Sequence, residues 1–89
     1  MRVRLIAVHR SGHTVRLIVS YAAGSGMVAV IATRGHRHRV RLRATRRRNA
    51  TRVTFAAALS SGRWTITVTG VPAHGYAVPK SQRREVTVP

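Results

Sequence analysis

Arginines are concentrated in the middle of the chain, where their spacing would let them bind phosphate, sulfate or carboxylate groups. Many of them recur at every second position, a spacing that puts successive side chains on one face of a β-strand. A guanidinium group donates two parallel hydrogen bonds to an oxyanion, so a row of them suits a polyanion backbone. The residues from which we expect such contacts are Arg37, Arg39, Arg41, Arg43, Arg46, Arg47 and Arg48.

A strand from residue 37 to residue 43 would carry four of these arginines on one face while Val40 and Leu42 face the core. At about 3.3 Å per residue the row would be roughly 20 Å long, with the residues from 46 to 48 in a following loop. The other interpretation is an ordinary solvated strand face, in a chain whose Arg and Ala content reflects a high-GC genome. We therefore expect weak, salt-dependent polyanion affinity and no recognition of one specific ligand.

Catalytic chemistry is nearly excluded because Glu85 is the only acidic residue of the 89. Serine triads and paired-carboxylate mechanisms both need acidic partners that this chain lacks. The chain has no cysteine, and His36 with His38 would supply too few ligands for a metal among repelling arginines. We predict a protein that is not an enzyme and has no catalytic residues, cofactor or metal.

The charge balance indicates polyanionic partners. Seventeen basic residues against one acidic residue produce a formal net charge of +16, and nonspecific attraction to nucleic acid follows from charge alone. Aromatic residues are only 4% of the chain, and none interleaves with the arginines to stack bases. We therefore expect no sequence-specific nucleic-acid partner.

Apolar and polar residues alternate with period two along nearly the whole chain, a pattern typical of strands. Turn-forming residues separate these runs, among them Ser11-Gly12, Arg34-Gly35 and Ser60-Ser61-Gly62. The pattern predicts a single all-β domain over residues 1–89, an antiparallel β-sandwich of about seven strands. The residues expected in the core between its two sheets are Leu17, Val30, Phe55, Trp64, Ile66 and Val68.

The segment from Leu59 to Thr69, which reads LSSGRWTITVT, carries a family resemblance. It resembles the Leu-x-x-Gly-x-Tyr-x-hydrophobic-x-hydrophobic pattern of bacterial Ig-like and fibronectin type III-like repeats. Residues 15–23 and 28–32 are similar to the second and third strands of such repeats. Trp64 stands where the family has tyrosine, so the hydroxyl bond of the tyrosine corner cannot form.

The resemblance implies a non-enzymatic accessory module, a spacer or adhesion domain, in a larger secreted or cell-surface protein of a high-GC bacterium. Its partners would be neighbouring domains of that chain and an anionic envelope polymer or polysaccharide, on which the basic face would rest. Residues 1–8 lack the pattern of a signal peptide, so export would need a signal elsewhere. No apolar run reaches the roughly 20 residues of a membrane span. The alternative is a small basic nucleic-acid-binding β protein.

Overall fold

The alternating segments form β-strands, as predicted. The computed structural model describes residues 1–47 and 51–89, and in these residues it has seven strands and a short 3-10 helix, Ala23–Ser25. The strands are β1 (Arg4–Ser11), β2 (Thr14–Ser20), β3 (Gly26–Arg34), β4 (His38–Arg47), β5 (Arg52–Ala58), β6 (Gly62–Pro72) and β7 (Gln82–Val88).

All seven strands belong to one antiparallel sheet in the order β1-β2-β5-β4-β3-β6-β7. The sheet curls until its two edge strands approach each other, which makes the molecule barrel-like. The predicted all-β class and the antiparallel arrangement of about seven strands are confirmed. The finer prediction of two separate packed sheets is not confirmed.

Strand β4 is the reason for the single sheet, because it pairs with two neighbours in succession. Its first part, from His38 to Leu42, pairs with β3, and its second part, from Arg43 to Arg47, pairs with β5. The register between β4 and β5 shifts between Ala44 and Arg46, as at a β-bulge. A bulge bends its strand and increases the local twist, here within the part of β4 that pairs with β5.

The edge strands β1 and β7 are joined by one side chain. The amide of Gln82, in β7, accepts a hydrogen bond from the Leu5 backbone N–H at 2.9 Å and donates one to the Val3 carbonyl at 2.5 Å. The two strands do not pair through their backbones in the described sheet. The sheet is therefore nearly closed, with a glutamine bridge between its edges.

Inward-facing side chains from every strand fill the space that the sheet encloses. All six residues predicted for the core are buried, and each apolar side chain of this size contributes about 1.5–3 kcal/mol by leaving water. The largest is Trp64, whose exposed fraction is 2%. Its indole N–H donates a 2.8 Å hydrogen bond to the Ser60 carbonyl. The indole thus bonds to the backbone of the turn between β5 and β6.

Candidate polyanion-binding surface

Three arginines of β4 form a row on the outside of the sheet, which we call the β4 ridge: Arg39, Arg41 and Arg43. All three are exposed, whereas Leu42 is buried and Val40 is half-buried between them. This alternation follows from the strand's pleat, which turns every second side chain outward. At about 3.3 Å per residue, the ridge is roughly 13 Å long and its arginines are about 6.6 Å apart.

Three of the other predicted site residues are placed differently from expectation. Arg37 is exposed but lies in the turn of residues 35–37, so it precedes the strand and shortens the predicted row. Arg46 and Arg47 belong to β4 and not to a loop, because they pair with Thr54 and Val53 of β5. Arg48 lies outside the described residues.

Arg47 is already engaged within the protein. Its guanidinium carbon lies 5.4 Å from the centroid of the Tyr21 ring, and its Nη2 donates a 3.2 Å hydrogen bond to the Tyr21 hydroxyl. Arg47 pairs with Val53, a core residue of β5, whereas Arg46 pairs with Thr54. The two neighbouring arginines therefore point to opposite sides of the strand, and Arg46 shares the outer side with the ridge.

Neutral side chains of β3 and β6 flank the ridge on one side. Arg39 pairs with Thr33, which pairs in turn with Thr65 of β6, and Arg41 pairs with Ile31. The single acidic residue, Glu85, lies beyond them in β7, opposite Thr65. Three strand spacings of about 4.8 Å separate it from β4, or roughly 14 Å along the sheet. No acidic side chain of the described residues therefore neutralises the ridge.

A second basic feature lies where β2, β5 and β4 are neighbours, and we call it the Arg16–Arg46 pocket. Its volume is about 350 Å³, and its lining residues are Thr14, Arg16, Thr45, Arg46, Thr54 and Ala56. Sequence reasoning missed this pocket because Arg16 and Arg46 are far apart in the chain. Strand pairing across β5 is what brings them together.

The two histidines considered as metal ligands, His36 and His38, lie at or just before the start of β4. His36 is in the turn before β4, and the ring of His38 contacts that of Trp64 edge-on at a centroid distance of 6.4 Å. Within residues 1–47 and 51–89, no three histidine or acidic side chains are grouped so as to hold a metal ion. The same residues include no helix long and apolar enough to cross a membrane.

Comparisons with protein-family models, with curated proteins and with solved structures find no match for this chain. The resemblance of residues 59–69 to Ig-like and fibronectin type III-like repeats therefore stays a prediction from the sequence. The physical basis for inferring a function is the geometry and charge of the described surface.

Proposed function

We propose that this protein is a non-enzymatic accessory domain that binds anionic polymers through the β4 ridge. The observation that carries the proposal is the row of three outward arginines with no carboxylate beside it. Uncompensated cations on a rigid strand raise the local concentration of anions without any reorganisation of the protein. Because the contacts are exposed and charge-based, the affinity is weak and depends on salt.

The polymer is recognised by its charges and not by its bases or sugars. The arginines of the ridge are spaced at about 6.6 Å, so successive guanidinium groups meet successive anionic groups along an extended chain. The ridge's neighbours on β3 are Ile31 and Thr33, which offer no aromatic ring on which a base would stack. An anionic envelope polymer or polysaccharide outside the cell has such a row of charges. Neighbouring domains of a larger chain would hold this domain close to that polymer.

The strand order supports an Ig-like origin for the domain. In Ig constant-type domains the strands are arranged as A-B-E-D on one sheet and C-F-G on the other. Here the corresponding orders are β1-β2-β5-β4 and β3-β6-β7, and the pairing of β4 with β3 joins them. We infer an Ig-like or fibronectin type III-like sandwich whose fourth strand links both sheets, as part of a bacterial secreted or surface protein.

The test compares two triple variants that remove the same charge. The ridge variant carries Arg39→Gln, Arg41→Gln and Arg43→Gln. The N-terminal control variant carries Arg2→Gln, Arg4→Gln and Arg10→Gln, which are exposed residues in or next to β1. That strand lies three spacings from β4, about 14 Å along the sheet, which exceeds the screening length of about 10 Å at 0.1 M salt.

We expect the ridge variant to bind heparin, teichoic acid and duplex DNA about tenfold more weakly than wild type. Three exposed ion pairs worth about 0.5 kcal/mol each account for that factor. The control variant should lose less than about threefold. Equal losses in both variants would show that the ridge is not the binding surface, and a strong preference for one DNA sequence would favour a nucleic-acid-binding protein instead.

A further inference from the structure

The Arg16–Arg46 pocket differs from the ridge in that its walls and floor come from three strands. Arg16 of β2 pairs with Ala56 of β5, and Arg46 of β4 pairs with Thr54 of β5. The two arginines therefore stand on opposite sides of β5, displaced by two residues along it. Ala56 has a short side chain, so the surface between the two longer arginine side chains is recessed.

The bulge in β4 shapes one wall of the pocket. Thr45 is the extra residue between the paired residues Ala44 and Arg46, and its hydroxyl donates a 3.3 Å hydrogen bond to the Thr54 carbonyl. Bulges often re-aim a side chain beside a functional site. Here the bulge keeps Arg46 on the outer side of the sheet, next to Thr54, even though Ala44 pairs with the core residue Phe55.

Thr54 provides a polar group that lacks a partner. Its side chain lines the pocket and is only 9% exposed, and its Oγ1 has no hydrogen-bond partner among the described residues. Buried hydroxyls are normally hydrogen-bonded, so each exception needs an explanation. The Oγ1 atom is itself buried, so a rotation of the side chain about χ1 would be needed to bring the hydroxyl to an oxygen of a ligand in the pocket.

The pocket also lacks a counter-charge. Glu85, the only acidic side chain of the sequence, is in β7 and is not among the residues that line the pocket. Two cations that share a recess repel each other, and an anion between them removes that repulsion. The charge therefore indicates an anion from outside the chain.

We propose that the pocket binds one tetrahedral oxyanion, a phosphate or sulfate group, between the guanidinium groups of Arg16 and Arg46 and above the hydroxyl of Thr54. Each guanidinium group can donate two hydrogen bonds to oxyanion oxygens, and the threonine hydroxyl donates a further one after rotation about χ1. A volume of about 350 Å³ leaves room for the group to which the oxyanion is attached. This site goes beyond the proposed function, because it is one saturable position and the ridge is an extended contact.

The experiment is a titration of the ¹⁵N-labelled protein with inorganic phosphate, and separately with sulfate, followed by NMR at constant ionic strength set with sodium chloride. We expect saturable shifts at the amides of residues 14–16, 45–46 and 54–56, with affinity in the millimolar range. A phosphorylated and a sulfated oligosaccharide are titrated in the same way. Their affinities show whether the site binds an oxyanion carried by a sugar more tightly than the free inorganic ion.

Single substitutions locate the site. Arg16→Gln and Arg46→Gln should each weaken phosphate binding about three- to fivefold, because both side chains are exposed and an exposed ion pair is worth up to about 1 kcal/mol. Thr54→Val keeps the shape of the side chain, removes the hydroxyl and should weaken binding about threefold. Arg63→Gln is the matched control, because Arg63 is exposed on β6, and it should leave the affinity unchanged.

The proposal is overturned if the shifts grow linearly without saturation, or if Arg16→Gln and Arg46→Gln bind phosphate like Arg63→Gln. Its failure is distinguishable from failure of the proposed function. Arg43 pairs with Ala56 at the floor of the pocket, so the distinguishing variant is Arg39→Gln with Arg41→Gln, which should lose heparin affinity while it still binds inorganic phosphate within about twofold of wild type. Loss of phosphate binding in that variant would show that the two features are one diffuse surface and would also overturn the proposal.

Discussion

Trp64 stabilises the corner between β5 and β6 through several kinds of contact at once. The side chain is buried, and its indole N–H bonds to the Ser60 carbonyl. The guanidinium group of Arg34 lies 5.4 Å from the centroid of its ring and donates a hydrogen bond to the Ser61 carbonyl. One aromatic residue therefore ties β6 to β3 and to the turn that precedes it.

We expect Trp64→Ala to lower the free energy of unfolding by about 3–5 kcal/mol, the usual cost of deleting a large buried aromatic side chain. Trp64→Phe should cost less, since it keeps an aromatic ring but loses the bond to Ser60, worth about 1 kcal/mol. Urea denaturation followed by circular dichroism measures both, because Trp64 is the only tryptophan and its fluorescence is lost in both variants. Tyr76→Ala, at an exposed aromatic residue, is the control and should change stability by less than about 0.5 kcal/mol. A Trp64→Ala effect no larger than this would contradict the corner's role.

Alternation in the sequence predicts which side of a strand each residue faces, and this succeeds for Trp64 and the other core residues. It does not predict which polar atoms become neighbours. The bond from the indole to the Ser60 carbonyl depends on the path of the turn between β5 and β6. The hydroxyl of Thr54 has no hydrogen-bond partner among the described residues, and this likewise depends on side chains from other strands, so alternation predicts neither feature.

At the scale of the elements, the strands are predictable and part of their pairing is not. Local alternation identifies the apolar segments, but it contains no information about which distant segment becomes a partner. The pattern of β4 weakens after Ala44, where Thr45, Arg46 and Arg47 follow without an apolar residue, and the sequence alone predicts a loop there. In the structure these residues pair with β5, and that pairing creates both the continuous sheet and the Arg16–Arg46 pocket.

Gly26 limits how β3 can begin beside β6. Its φ angle is 146°, a conformation that other residues rarely adopt, and an added Cβ would strike the backbone of Val71 and Pro72. We expect Gly26→Ala to lower the free energy of unfolding by at least about 2 kcal/mol, because backbone atoms cannot move aside cheaply. Thermal unfolding against Gly24→Ala measures this, since a Cβ at Gly24 meets nothing within 4 Å. If the two variants have the same stability, the close approach of β3 to β6 is not a constraint on the fold.

At the scale of the whole molecule, one strand links the fold to the proposed binding surface. Strand β4 joins the two parts of the sheet, carries the ridge on its outer side and supplies Arg46 to the pocket. The positions of Arg39, Arg41 and Arg43 were predictable, because they alternate with apolar residues within one segment. The contribution of Arg16 was not, because it depends on the order of strands across the sheet.

The central claim is that the three arginines of the β4 ridge bind anionic polymers by charge, and the salt dependence of binding tests it most directly. The measurement is the slope of log Kobs against log [NaCl] for a short duplex DNA, with wild type, the ridge variant and the N-terminal control variant. Each phosphate contact adds roughly 0.9 to the magnitude of this slope. We predict that the ridge variant's slope is smaller than wild type by about 2 to 3, while the control variant's slope falls by less than about 1. A ridge variant with the wild-type slope would contradict the claim.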